Sequence, residues 1–157
     1  MVGLMKGAYF GPETAARAVR LAMPMMQAAM ASREAGDSGF LHIVVMNPLL
    51  PPGQSAFEPA ILYEESLGDR ADWDADYAAY ARAKARLSWR SGMAGHRVCE
   101  VAPQLLAEQE QPLWGSVSVD GVAVGVSGAY PWFDEAFAAT VAHTFIACVK
   151  AARAGTP

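Results

Sequence analysis

The sequence has few cysteines and no long apolar run, and each shortage excludes a class of protein. Cys99 and Cys148 are its two cysteines and have no CxxC spacing, so they fit free thiols in a reducing compartment better than a disulfide framework. The longest apolar runs, such as residues 43–46, are far shorter than the roughly 20 residues that cross a bilayer. The N-terminal residues lack the apolar stretch of a secretory signal. We therefore expect no membrane span and a cytoplasmic location.

Charge is also scarce, and basic charge is scarcer than acidic. The chain has 12 Lys and Arg against 16 Asp and Glu, a net charge of -4, which is the wrong sign for binding nucleic-acid phosphates. With 157 residues, of which 53% are hydrophobic, the chain is expected to bury one core as a single domain, residues 1–157. A subunit with so apolar a composition often hides part of its surface. We expect a homo-oligomer, a dimer or larger, that does not bind nucleic acid or membrane.

The hydrophobic pattern predicts a defined order of helices and strands. The predicted elements are a helix at 12–35, strands at 40–46 and 60–63, helices at 74–91 and 99–108, a hairpin at 116–126, and a helix at 133–153. The first helix carries a methionine stripe expected in the core, and Gly36 suits a left-handed C-terminal cap. Residues 47–59 hold four prolines, which predicts an ordered loop or lid. This order favours an α+β sandwich, an antiparallel or mixed sheet with helices packed on it.

The hairpin is the strongest local signal in the chain. Residues 116–119 and 122–126 alternate with period two around Asp120-Gly121, a pair typical of two-residue hairpin turns. Pairing across this turn places valines on one face and small residues on the other: Ser116, Ser118, Ala123 and Gly125. The valine face is expected to be core. A helix, a second subunit or a flat ligand could approach the small-residue face, and we favour a helix or a subunit.

Several patterns resemble catalytic motifs but fail in detail. His42, His96 and His143 have no partner at metal-ligand spacing, so no metal site is predicted. Residues 125–129, Gly-Val-Ser-Gly-Ala, are one residue short of the G-x-S-x-G elbow of serine hydrolases. No glycine cluster matches a phosphate-binding loop, and nucleotide binding is therefore not expected.

One stretch concentrates basic charge. Between Asp76 and Glu100 there is no acid, and five of the 12 basic residues lie there. Arg82, Arg86 and Arg90 recur at successive turns of one predicted helical face. Such a face is either solvated, paired with acids of another subunit, or an anion site for a carboxylate-bearing ligand.

The sequences of the hairpin and of a neighbouring predicted helix resemble those of a known protein family. Residues 114–129 read Trp-Gly-Ser-Val-Ser-Val-Asp-Gly-Val-Ala-Val-Gly-Val-Ser-Gly-Ala, residues 134–136 read Asp-Glu-Ala, and residues 81–85 read Ala-Arg-Ala-Lys-Ala. These segments resemble the GlcG/HbpS-like haem-binding family. The resemblance implies a profilin-like sandwich with an antiparallel sheet of about five strands, found as dimers or larger rings. It also implies haem as a possible cofactor, because some members bind it.

The resemblance singles out positions but leaves their roles open. Its recurrent positions are matched here by Lys84, Gly115, Gly125, Ser127, Gly128 and Asp134, which serve turn geometry and helix capping as readily as ligand contact. The family's short turn after the first strand is replaced by residues 47–59, and a changed loop suggests a changed ligand. A haem ligand would come from His42, His96 or His143, the three histidines of the chain.

Two functional hypotheses follow, with a third in which the chain is an accessory oligomer without a ligand. The first is a cytoplasmic oligomeric binding protein for haem or another flat, carboxylate-bearing small molecule. Its predicted ligand-binding residues are His42, Arg82, Arg86, Arg90, Ser127 and His143. The alternative is a small cofactor-free enzyme of isomerase, cyclase or lyase type that uses acid/base chemistry. Its predicted catalytic residues are Glu64, Lys84, His96 and Glu135.

Overall fold

A four-stranded antiparallel sheet organises the chain, and helices cover both of its faces. The computed structural model describes residues 9–155. The helices are α1 (Pro12–Ala31), α2 (Phe57–Ala60), α3 (Tyr77–Ser91), α4 (Gly95–Val101) and α5 (Pro131–Arg153). The strands are β1 (Leu41–Met46), β2 (Ile61–Leu67), β3 (Ser116–Val119) and β4 (Val122–Ser127), in the order β2-β1-β4-β3. The predicted α+β architecture is confirmed, with four described strands where the resemblance implied about five.

The valine face of the hairpin forms the main core, as predicted. Val117 lies opposite Val124 in the β3–β4 register, and both pack with Ile43 of β1 against α1 and α5. Helix α5 contributes Phe137 and Phe145, which are fully buried, and the methionine stripe of α1 is buried with them. Each such side chain contributes about 1.5–3 kcal/mol when it leaves water, so this layer fixes the hairpin against both long helices.

The opposite, small-residue face of the sheet is covered by α3. Of the helix, second subunit or flat ligand that could approach this face, the structure therefore shows a helix. A Cβ atom added to Gly125 would lie 2.4 Å from the carbonyl oxygen of Ala81 and 2.5 Å from the amide nitrogen of Ala85. The backbone of α3 therefore rests directly on β4, and a glycine is needed at that position because any side chain would collide with helix backbone.

The first helix ends earlier than the sequence pattern predicts. Helix α1 stops at Ala31, and Arg33 takes the left-handed conformation, with a φ of 63°, that was expected of Gly36. Gly36 lies instead against the chain that leaves β4, where an added Cβ would be 3.0 Å from the Cα of Ala129. Its small size thus serves a close backbone approach and not a helix cap.

Other predicted boundaries are also wrong. Residues 57–59, expected to be loop, form most of α2, and β2 runs four residues past its predicted end to Leu67. The sequence also predicts that Gly92 and Gly95 end the helix at 74–91. Gly92 does cap α3, with a φ of 70°, but Gly95 begins α4. Helix α4 lies at Gly95–Val101 and is followed by a 3₁₀ turn at Pro103–Leu105, in place of the predicted helix at 99–108.

Among the described helices, α5 is the one long and apolar enough to cross a membrane by length and composition. In this fold Phe137, Val141 and Phe145 of α5 lie in the core between α1 and the sheet. The apolar character of α5 is therefore used for packing within the chain.

Candidate functional site

Most of the predicted site residues fall into three groups around α3. The His42 cluster comprises His42, Glu64, Ser66 and Arg82; the Lys84 cluster comprises Lys84, His96, Asp134 and Glu135; and the arginine cleft lies between Arg82, Arg86 and residues 107–111. His143 is exposed on α5 and makes no side-chain hydrogen bond or ion pair with any residue in the range 9–155. Ser127 is buried on β4 directly opposite His42 of β1.

The His42 cluster is built by strand pairing beneath α3. His42 on β1 lies opposite Ser66 on β2, and Glu64 precedes Ser66 by two residues, so the three side chains share one face of the sheet. The Nδ1 atom of His42 is 2.8 Å from Oγ of Ser66, and its Nε2 atom is 3.0 Å from Oε1 of Glu64. Arg82 of α3 donates two hydrogen bonds to the Glu64 carboxylate, at 2.7 and 2.8 Å.

The charges of this cluster fix its protonation. The Arg82 hydrogen bonds hold the pKa of Glu64 below its usual value although partial burial opposes them. Burial lowers the pKa of His42, and its contact with Glu64 offsets only part of that effect. At neutral pH the cluster therefore contains an ionised Glu64 beside a neutral imidazole. Ser66 was not predicted, although the period-two pattern would have found it if β2 had been extended past Tyr63.

The Lys84 cluster contains a buried ion pair. Nζ of Lys84 lies 2.9 Å from Oδ2 of Asp134 and 3.2 Å from the carbonyl oxygen of Val126, and the two side chains are 8% and 2% exposed. Oδ1 of Asp134 accepts the amide hydrogen of Ala129 at 2.8 Å. Burial raises the pKa of Asp134 to about 6, against the opposing effect of Lys84. Asp134 was predicted as a recurrent position and not as a site residue, although an acid in the first turn of a helix is a visible signal.

A second pair, His96 and Glu135, and a small pocket lie near the ion pair of Lys84 and Asp134. Nδ1 of His96 on α4 hydrogen-bonds to the carboxylate of Glu135, and the His96 ring meets Trp114 edge-on with centroids 5.8 Å apart. A pocket of about 360 Å³ is lined by Lys84, Pro112, Leu113, Trp114 and Pro131. The structure therefore pairs two predicted catalytic residues, His96 and Glu135, next to Trp114 of the pocket that the third, Lys84, also lines. It places the fourth, Glu64, in the His42 cluster.

The arginine cleft has a volume of about 530 Å³. Its lining is Phe57, Glu58, Arg82, Ala83, Arg86, Ala107, Glu108, Gln109, Glu110 and Gln111. The arginine face meets acids of its own chain: Arg82 is paired with Glu64, and Arg90 with Glu110. Arg86 has no acidic partner within 4.0 Å among the described residues, and its guanidinium carbon lies 5.9 Å from the ring centroid of Phe57.

A metal ion or an iron-ligated haem requires side chains that can reach and bind the metal. Within residues 9–155, no three His, Cys, Asp or Glu side chains are grouped to hold a metal ion. The lining of the arginine cleft includes no His, Cys, Met or Tyr, so the cleft offers no iron ligand of the usual kinds. His42 is 2% exposed and has both ring nitrogens hydrogen-bonded. The cleft residues therefore fit a carboxylate-bearing ligand but not an iron-ligated haem.

No protein-family model, no curated protein and no solved structure matches this chain. The resemblance to the GlcG/HbpS-like family therefore stays a prediction. The residues that carry it lie together in the fold: residues 81–85 of α3 rest on Gly125 of β4, and Lys84 reaches Asp134 of α5.

Proposed function

We propose that this protein binds a flat small molecule with one carboxylate in the arginine cleft. The observation that carries the proposal is Arg86, a cationic side chain of a ligand-sized cleft without an acidic partner among the described residues. A guanidinium forms paired, charge-assisted hydrogen bonds with a carboxylate. The adjacent Phe57 ring offers an apolar surface for the flat part of the ligand.

The remaining charges of the cleft set the charge of the ligand. Arg82 is neutralised by Glu64, whereas Glu58 and Glu108 form no ion pair with a described residue. A second carboxylate would meet these two acids, so a monocarboxylate is favoured over a dicarboxylate such as haem. The volume of about 530 Å³ lies within the roughly 300–1,000 Å³ of small-molecule pockets. Haem remains a prediction that a separate hemin titration tests.

Calorimetric titration with indole-3-acetate and with indole-3-acetamide tests the role of the carboxylate. We expect the acid to bind and the amide to bind at least about tenfold more weakly, since a hydrogen bond to a charged group contributes about 1.5–3 kcal/mol. Arg86→Gln should weaken binding of the acid to the same degree. Arg97→Gln is the matched control, because Arg97 is exposed and lies outside the cleft lining. Equal binding of acid and amide, or an unaffected Arg86→Gln protein, would contradict the proposal.

A hemin titration addresses the cofactor separately. A Soret band that weakens in Arg86→Gln, or in a variant of His42, His96 or His143, would support haem as the ligand. A titration without a Soret shift would exclude haem and leave the indole-3-acetate result to decide the proposal.

The Lys84 cluster supports a second candidate function, that of a cofactor-free enzyme that uses acid/base chemistry. Lys84 lines a pocket of about 360 Å³, and the His96–Glu135 dyad adjoins that pocket through Trp114. A carboxylate-oriented imidazole is suited to proton transfer. Deuterium uptake at C3 of 2-oxobutyrate, followed by NMR, tests this chemistry. His96→Gln and Glu135→Gln should abolish uptake, whereas Glu64→Gln should not, because Glu64 lies in the other cluster. Uptake that is absent or equal in all proteins would remove this candidate.

We further propose a cytoplasmic homo-oligomer. The support is the set of large apolar side chains exposed in the single chain, among them Leu21 and Met25 one turn apart on α1, and Trp132 at the start of α5. Exposed side chains of this size are often covered by another subunit. Light scattering with native mass spectrometry should show a dimer or larger species, and a monomer at all concentrations would contradict this proposal.

A further inference from the structure

The His42 cluster has the connectivity of an activated serine nucleophile. Ser66 contacts one ring nitrogen of His42 at 2.8 Å, and Glu64 contacts the other at 3.0 Å. A nucleophile hydrogen-bonded to a base that is itself oriented by a carboxylate is the arrangement used in nucleophilic catalysis on unrelated folds. This serine lies on β2 and is unrelated to Ser127, the serine of the incomplete elbow motif.

The direction of each proton in the cluster follows from its charges. An ionised carboxylate only accepts hydrogen bonds, so Nε2 of a neutral His42 donates to Glu64. Nδ1 of His42 is then the unprotonated nitrogen, and it accepts the hydroxyl hydrogen of Ser66. The imidazole is therefore held in the tautomer that can remove the serine proton.

His42, the base, is more deeply buried than Ser66, the nucleophile. His42 is 2% exposed, whereas Ser66 is half-buried on an edge strand of the sheet. Trp73 packs edge-on against His42, with ring centroids 5.9 Å apart, and its indole N–H is buried without a partner among the described residues.

We propose that Ser66 is a nucleophile that accepts acyl groups from carboxylic esters. Oγ of Ser66 bonds to the carbonyl carbon of the ester, and its proton passes to Nδ1 of His42. The ester C–O bond breaks, and the leaving alcohol takes that proton. Water then attacks the acyl-serine by the same route, so that one ester and one water yield one acid and one alcohol. Glu64 and Arg82 are positioning residues, since Glu64 holds the His42 ring and Arg82 holds the Glu64 carboxylate.

Labelling with a biotinylated fluorophosphonate tests the nucleophile directly. In this reaction the Ser66 oxygen displaces fluoride from phosphorus. Peptide mass spectrometry of the native protein should locate the label on Ser66, and Ser66→Ala should remove it. Ser118→Ala on β3 is the matched control and should label as the native chain does. Urea-unfolded protein should not label, because the base is then no longer in place.

The role of the base is tested by rates and by a spectroscopic signature. We expect His42→Gln to slow labelling at least about a hundredfold and Glu64→Gln to slow it at least about tenfold, with folding of each checked by circular dichroism. The ¹⁵N NMR shifts of His42 should show protonation at Nε2 in the native chain and a mixture of tautomers in Glu64→Gln. A folded native protein without label on Ser66, or labelling that is unchanged in folded Glu64→Gln, would overturn the proposal. Neither result bears on ligand binding at Arg86.

Discussion

The buried pair of Lys84 and Asp134 makes the strongest prediction about stability. Lys84→Met keeps most of the apolar stem and removes the cation, whereas Asp134→Asn keeps the acceptor for the Ala129 amide and removes the anion. Both groups are almost fully buried, 2.9 Å apart. Removing one partner of a buried pair leaves an uncompensated charge and costs about 3–5 kcal/mol.

The pKa of Asp134 gives this cost a pH dependence. Burial raises the folded-state pKa to about 6 from a usual value of 3.8, so folding favours the protonated carboxyl. The stabilisation from proton binding, about 3 kcal/mol, is fully present below about pH 4 and is lost as pH rises through about 6. Lys84 opposes this rise in pKa. Without Lys84 the pKa of Asp134 rises further, so the loss of stability in Lys84→Met should be larger at pH 8 than at pH 5.

Urea unfolding, followed by tryptophan fluorescence at about pH 5 and about pH 8, measures these free energies. We expect Lys84→Met to lose about 3–5 kcal/mol at pH 8 and clearly less at pH 5, where Asp134 takes up a proton. The double variant Lys84→Met/Asp134→Asn should lose at least about 2 kcal/mol less than the sum of the single losses. Additive losses that do not change with pH would refute a coupled, charged pair.

Three further changes test other parts of the fold. Gly125→Ala should destabilise the protein by about 1–3 kcal/mol or more, because the new Cβ meets α3 backbone at 2.4 Å; a neutral effect in urea unfolding would refute the tight helix–sheet contact. Asp76→Ala removes the acceptor of an N-terminal amide of α3 and should cost about 1 kcal/mol, whereas Asp72→Ala, which removes no such cap, should cost less. Trp89→Phe removes the hydrogen bond to the carbonyl of Leu50 and should speed limited proteolysis within residues 47–56; unchanged cleavage would show that the bond does not hold the loop.

The elements that the sequence predicted well are those whose signals are local. Period-two alternation around Asp120-Gly121 defined the hairpin, and the small residues on one face predicted the close approach that α3 makes. The end of β2 was missed because Glu64 and Glu65 look like the start of a loop. In the fold, Glu64 is held by Arg82, and Glu65 accepts a hydrogen bond from Tyr63. A distant partner, Arg82, and a neighbour on the same strand, Tyr63, thus make two acids compatible with a strand. Ser66 was missed with them.

Ion-pair partners were the least predictable feature of the candidate site. Arg82, Arg86 and Arg90 appeared equivalent on one helical face, yet Glu64 from β2 neutralises the first and Glu110 from the 107–111 segment neutralises the third. Neither acid lies at a helical spacing from its arginine, so only the tertiary arrangement shows that Arg86 is the one of the three without an acidic partner among the described residues.

The close contact at Gly125 also explains why neighbouring basic residues of α3 serve different sites. With 3.6 residues per turn, Ala81, Lys84 and Ala85 share the face that rests on the sheet, whereas Arg82 and Arg86 lie about 100° further round, toward the cleft. Because the helix touches β4, the Lys84 stem is confined beside Gly115, where an added Cβ would already lie 2.9 Å from Cδ of Lys84. A planar guanidinium is bulkier than an ammonium, so Lys84→Arg cannot be accommodated as a conservative change. The helical period therefore separates the lysine from the cleft-facing arginines, and the close helix–sheet contact at Gly125 keeps that lysine buried.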